Sequence, residues 1–273
     1  MQIQLNLLVI VESLRPDEDQ TGSQLYQYLQ SKPLPIETEL YRPATRAELF
    51  DVLERLAQRA EAGACVPIIH LEVHGSKQAV QVSSMEIISW HELSVPLRRV
   101  NLAVRNSMIV TTAVCYGAYI GTAAATHPSD PAPFCGAVGP GEEVYSDDLL
   151  AGFRAFFDEL LHTGNFAVAI KALQQHNLPG FVPLDMATLF AKGYGQYASS
   201  LDGPEFEARV DELLAQLPPE EVARRGGSAK AREDIVRTLR NYRERREAKW
   251  VHFIMADLYP ENRERFASLE PRD

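Results

Sequence analysis

The chain has 273 residues, 45% of them hydrophobic, and a formal net charge of −10. That is enough apolar chain for one large α/β domain with an appendage. The acidic balance disfavours binding along nucleic acid, which needs a basic field.

No apolar run reaches the length needed to cross a bilayer, and the N-terminus shows no basic segment followed by an apolar stretch and a cleavage site. A cytoplasmic protein without membrane association is the expectation. Three cysteines, Cys65, Cys115 and Cys135, form neither a disulfide framework nor a zinc spacing, so each is read as a free thiol and no metal or cofactor is expected.

In chain order, Ile3 to Val11 reads as a first central strand, followed by a polar loop from Glu12 to Asp19. Thr21 or Ser23 caps a helix through about Gln30, and Leu34 to Tyr41 is a short edge strand weakened by Pro33 and Pro35. Thr45 with Glu48 three residues later makes a capping box for a helix from Arg46 to Ala62, which Gly63 ends. The β-branched run Val66 to Val73 then stops at His74-Gly75.

Ala79 to Val82 is read as a hairpin or loop strand, and Ile88 to Leu93 as the start of a helix. A second β-branched run, Met108 to Val114, stops at Cys115-Tyr116-Gly117. The small residues of Gly117 to Thr126 form a helix, 127–133 a loop, and Phe134 to Val138 a strand ended by Gly139-Pro140-Gly141. Ser146 or Asp147 caps a helix from Asp148 to His162 closed by Gly164, a further helix covers Phe166 to Gln175, and Phe181-Val182 is a last strand. Beyond about Tyr197, charged amphipathic helices over Glu205 to Leu217 and Lys230 to Met255 form a helical appendage. The expected division is therefore an α/β domain over 1–197 and a C-terminal extension over 198–273.

Alternating strands and helices imply a mostly parallel sheet, whose ligand crevice lies beyond the carboxyl ends of its strands. His74 and Cys115 both fall at such ends, 41 positions apart. A thiolate can attack a carbonyl and an imidazole can carry the proton near neutral pH, so the pair has the parts of a nucleophilic site. Cys65 and Cys135 are expected in the core, His70 in a structural or orienting role, and His91 and His127 at the surface.

An apolar strand ending in His-Gly, paired with a later one ending in Cys-x-Gly, resembles the caspase-like (clan CD) cysteine peptidases. The Trp90-His91-Glu92-Leu93 helix and the Cys115-Tyr116-Gly117 ending look most like the bacterial CHAT branch. Caspases carry Gln-Ala-Cys-[Arg/Gln/Gly]-Gly, with the histidine about 50 residues upstream. Here Ala113-Val114-Cys115-Tyr116-Gly117 keeps the cysteine and glycine but not the two residues before them.

The resemblance implies a caspase-haemoglobinase-like fold and a cysteine endopeptidase with Cys115 as nucleophile and His74 as acid/base. It also implies an oxyanion site made by the backbone amides of Gly75 and Cys115. Substrate-pocket candidates are Arg15, by its place after the first strand, and Glu143, Asp147 and Asp148 in the 139–148 loop. The implied partners are a protein or peptide substrate and an activating protein, or self-association through the C-terminal helices, in a regulated, defence-type protease. The same residues leave open an inactive pseudopeptidase acting as an interaction module, or a small-molecule hydrolase on a flavodoxin-like sheet.

Overall fold

The computed structural model describes residues 5–122, 130–175, 180–199, 204–244 and 246–269. The fold is α/β: a mostly parallel sheet with helices on both faces and further helices at the C-terminus. Its strands are β1 (Leu7–Ser13), β2 (Glu37–Tyr41), β3 (Pro67–Gly75), β6 (Ile109–Thr112), β7 (Gly136–Pro140) and β8 (Phe181–Asp185), in the spatial order β2-β1-β3-β6-β7-β8. All neighbours are parallel except β7 and β8. A small antiparallel flap, β4 (Ala79–Gln81) and β5 (Ile87–Ser89), extends from the end of β3.

The central strands are buried on both faces, which is why they read as continuous apolar runs. Leu7, Val9, Val11, Ile69, Leu71 and Val73 share one core with α2 (Arg46–Glu61) and α3 (Trp90–Ala103). Leu8, Ile10, Ile68 and Ile109 share the other with α1 (Thr21–Gln30), α4 (Ser146–Thr163) and α5 (Phe166–Gln175). Because side chains alternate along a strand, His70, Glu72 and His74 all project on the α1 and α4 side of β3.

The capping box of Thr45 and Glu48 forms as expected, and Ser89 with Glu92 makes a second one that opens α3. Several local expectations are corrected. Glu12 and Ser13 continue β1 instead of opening a loop. Thr21 and Ser23 do not cap α1, whose N-cap is Gln20; both are buried, and their hydroxyls bond to Glu72 and Glu12 instead. Ile88-Ser89 belongs to β5, and the helix begins only at Trp90 because the strand pairs with β4.

β7 runs on through Gly139 and Pro140, which pair with Val182 and Phe181. Gly139 permits this because a Cβ there would lie 1.9 Å from Thr112 Oγ1. After Cys115 the chain forms a 3-10 turn over Gly117–Tyr119 and continues as helix over 120–122, so the expected helix starts with a tighter turn; residues 123–129, with His127, lie outside the described residues.

The segment beyond 197 divides in two. Helices α7 (Pro204–Gln216) and α9 (Ser228–Glu244), joined through the short α8 (Pro219–Arg224), bring a small core of their own, centred on Phe206, Val210 and Ile235. Helices α10 (Arg246–Phe253) and α11 (Glu261–Arg265) return to the main core, where Trp250 and Phe253 pack on Phe190 of α6 (Met186–Ser199). Among the described residues no helix is long and apolar enough to cross a membrane.

Candidate active site

The site is built at the carboxyl edge of the sheet, beside the point where the chain order reverses between β1 and β3. β3 ends at His74-Gly75, and the chain beyond β6 reaches Cys115. The two ends are packed together. A Cβ on Gly75 would lie 2.2 Å from Val114 Cγ1 and 2.6 Å from the Cys115 carbonyl oxygen, so only glycine lets the strand ends approach this closely.

Gly117 is required in the same way, since its Cβ would lie 2.1 Å from Thr112 Oγ1. Both glycines are thus explained by packing within the site. Between them Tyr116 adopts the left-handed conformation, with φ 60°, and turns the chain sharply after the cysteine.

His74 and Cys115 line one cavity of about 380 Å³. The other walls include Leu14 and Asp17 to Asp19 from the loop after β1, Thr21 of α1, Glu72 and Val73 of β3, Ala113, and Val144, Ser146 and Leu149 at the head of α4. Among the described residues its charged lining consists of Asp17, Glu18, Asp19 and Glu72, together with His74, and contains no lysine or arginine.

The His74 imidazole is half-exposed, and its Nε2 lies 2.9 Å from Glu18 Oε1. Arg15 grips the same carboxylate: Nε and Nη2 donate to Oε1 at 3.0 and 2.8 Å, and its backbone N–H donates to Oε2 at 2.7 Å. Partial burial opposes charge on Glu18, but hydrogen bonds from Arg15 and His74 outweigh it and hold the carboxyl below its ordinary value.

Cys115 is partly buried, and its thiol donates weakly to Val144 O at 3.8 Å. Its backbone N–H meets no acceptor among the described residues, whereas those of Tyr116 and Gly117 bond to Glu142 O and Val114 O. Ser76 N–H bonds to Ala79 O at 2.8 Å, and antiparallel hydrogen-bonded pairs recur at every second residue. Gly75, one residue earlier and opposite Val80, therefore turns its N–H away from β4. Trp90 secures this turn by donating from Nε1 to Ser76 O at 3.0 Å.

Beneath the cavity lies a buried polar stripe. His70 Nδ1 is 2.7 Å from Thr111 Oγ1, and its Nε2 is 3.0 Å from Glu72 Oε1. Thr21 donates to the other Glu72 oxygen at 2.7 Å. The edges of Phe153 and Phe157 of α4 close over the His70 ring, with centroids 4.6 and 5.4 Å away. A ring so enclosed has a supporting place in the sheet, whereas His91 is exposed.

The pocket candidates fall in different places. Arg15 does not line the cavity, and its guanidinium is taken by Glu18. Glu143 meets the Tyr116 hydroxyl at 3.4 Å outside the cavity, and Asp147 and Asp148 form the exposed first turn of α4, where they complement its N-terminus. The structure adds Asp17, Glu18, Asp19 and Glu72, which the sequence reading passed over. Glu72 had a visible signal, since it alternates with His70 and His74 on one face of β3. The loop acids had only their position after β1.

Cys65 and Cys135 are buried, and burial raises both thiols, Cys135 to about 12. Among the described residues no group of three His, Cys, Asp or Glu side chains is arranged to hold a metal ion. No protein-family model matches the chain, and no curated protein matches it.

Proposed function

We propose that the chain is a cysteine endopeptidase of caspase-like type, with Cys115 as nucleophile and His74 as general acid/base. The observation that carries this reading is the convergence of His74-Gly75 and Cys115 on one cavity at the carboxyl edge of a parallel sheet, with Gly75 packed against the Cys115 carbonyl. A substrate carbonyl placed over Cys115 would receive the thiolate, and the N–H groups of Cys115 and Gly75 would receive the oxyanion. His74 would give its proton to the departing amine.

The acidic lining favours a neutral or cationic side chain beside the cut, because an acidic one would face Asp17 and Asp19. Incubation with a proteome-derived peptide library tests the reading: cleavage by the wild-type protein should disappear in Cys115→Ala and in His74→Ala. Cleavage retained in either variant refutes the assignment. A preference for acidic residues before the cut refutes the subsite.

A second reading, an inactive caspase-like module that binds a partner, draws on one observation. The Cys115 thiol faces Val144 O and the His74 imidazole faces Glu18, so in this structure each has a partner other than the other. Selective labelling of Cys115 by a peptidyl electrophile distinguishes the two, since a binding module has no reason to accelerate it. Location in the cytoplasm, a role in defence, and activation by a partner or by self-association through the C-terminal helices complete the proposal.

A further inference from the structure

We propose that Glu18 is the positioning residue of the site: it fixes the tautomer and ring orientation of His74 and is itself held in place by Arg15. The inference rests on the peptidase reading for its effect on turnover, but not for its structural content.

A carboxylate only accepts hydrogen bonds. The 2.9 Å contact to Glu18 Oε1 therefore places the proton of the neutral imidazole on His74 Nε2 and leaves Nδ1 as the atom able to take a proton.

The alternative is an ordinary surface ion pair, which holds nothing in place. Two features set this contact apart. Glu18 is the more buried partner, at 18% side-chain exposure, and lines the cavity that Cys115 also lines. Its two oxygens accept three bonds from Arg15, so the acceptor is oriented before the imidazole meets it. The Arg15 guanidinium, with its charge spent on Glu18 and Asp17, thereby serves the imidazole instead of a substrate carboxylate.

Three groups from the loop after β1 and the end of β3 thus form a line from Arg15 through Glu18 to His74. The loop is closed on itself by Gln20, whose amide donates to Arg15 O at 2.7 Å and Glu18 O at 3.0 Å.

The test compares wild type, Glu18→Gln and Glu18→Asp in two measurements. In histidine-15N-labelled protein, with the His74 signals identified by their loss in His74→Ala, the neutral ring should carry its proton on Nε2 in wild type and in Glu18→Asp. In Glu18→Gln it should become a mixture of tautomers, because an amide can either donate or accept. On a peptide that the wild-type protein cleaves, Glu18→Gln should lower kcat by about 10- to 100-fold with KM changed less than threefold, and Glu18→Asp should recover part of the loss.

A proton on Nδ1 in wild type, or an unchanged tautomer in Glu18→Gln, overturns the inference whatever the activity. Wild-type kcat in Glu18→Gln, alongside inactive Cys115→Ala and His74→Ala, overturns the positioning role and leaves the peptidase reading standing. If Cys115→Ala cleaves as the wild type does, the peptidase reading falls, and the role in turnover with it.

Discussion

Gly75 offers the most direct test of how the site is assembled. In Gly75→Ala the new methyl would stand 2.2 Å from Val114 Cγ1 and 2.6 Å from the Cys115 carbonyl oxygen, both well inside van der Waals contact. Val114 is buried and Cys115 O is backbone, so neither neighbour can yield by a side-chain rotation alone. Forcing a methyl into such a place costs about 1–3 kcal/mol. For a protein of this size that corresponds to a fall in Tm of roughly 2–12 °C. It also pushes the end of β3 from Cys115, so on the proposed peptidase reading kcat/KM should fall even where the variant is fully folded.

Thermal unfolding followed by circular dichroism, together with kcat/KM at a temperature where both proteins are folded, measures the two effects. Gly75→Ala/Val114→Ala removes the side-chain clash but keeps the backbone one, and should recover stability only in part. Wild-type Tm and wild-type kcat/KM in Gly75→Ala would refute the close approach on which the site depends.

Glu72→Ala should lower stability by about 2–4 kcal/mol in urea unfolding, because it leaves His70 Nε2 and the Thr21 hydroxyl buried without their partner; Glu72→Gln should cost less. Brief alkylation by iodoacetamide at neutral pH, read by mass spectrometry, should modify Cys115 ahead of Cys65 and Cys135, whose thiols burial raises. The hydrogen bonds from Ser89 hold the Glu92 carboxyl down at about 2. A depressed carboxyl stabilises the folded state above its unfolded value near 4.5 and loses that contribution as the pH falls toward 2. The stability difference between wild type and Glu92→Gln should therefore be full at pH 7 and vanish by about pH 2 in urea titrations.

Much of the architecture was legible without the structure. The sheet strands β1, β3 and β6, the placement of His74 and Cys115 at or just beyond strand ends, the Thr45 capping box, and the helix Phe166–Gln175 all follow from local patterns. Hydrophobic period and cap residues act within a few positions of one another, and a short chain segment carries them whole. β5 escaped because a three-residue strand has too few alternations to distinguish it from the start of a helix.

Local sequence shows which residues carry nucleophilic or titratable side chains and which faces are apolar, whereas the pairing of distant polar groups emerges only when the chain is folded. Glu18 meets His74 across 56 positions, Thr21 meets Glu72 across 51, and Ser23, which reads as a cap, bonds to Glu12 in the sheet. Arg15 reads as a free cation for a substrate, yet it is spent on its neighbour Glu18 once the loop folds back. The physical reason is that burial follows from the period of apolar residues along the chain. The partner of a charge depends instead on where separate loops come to rest over the sheet.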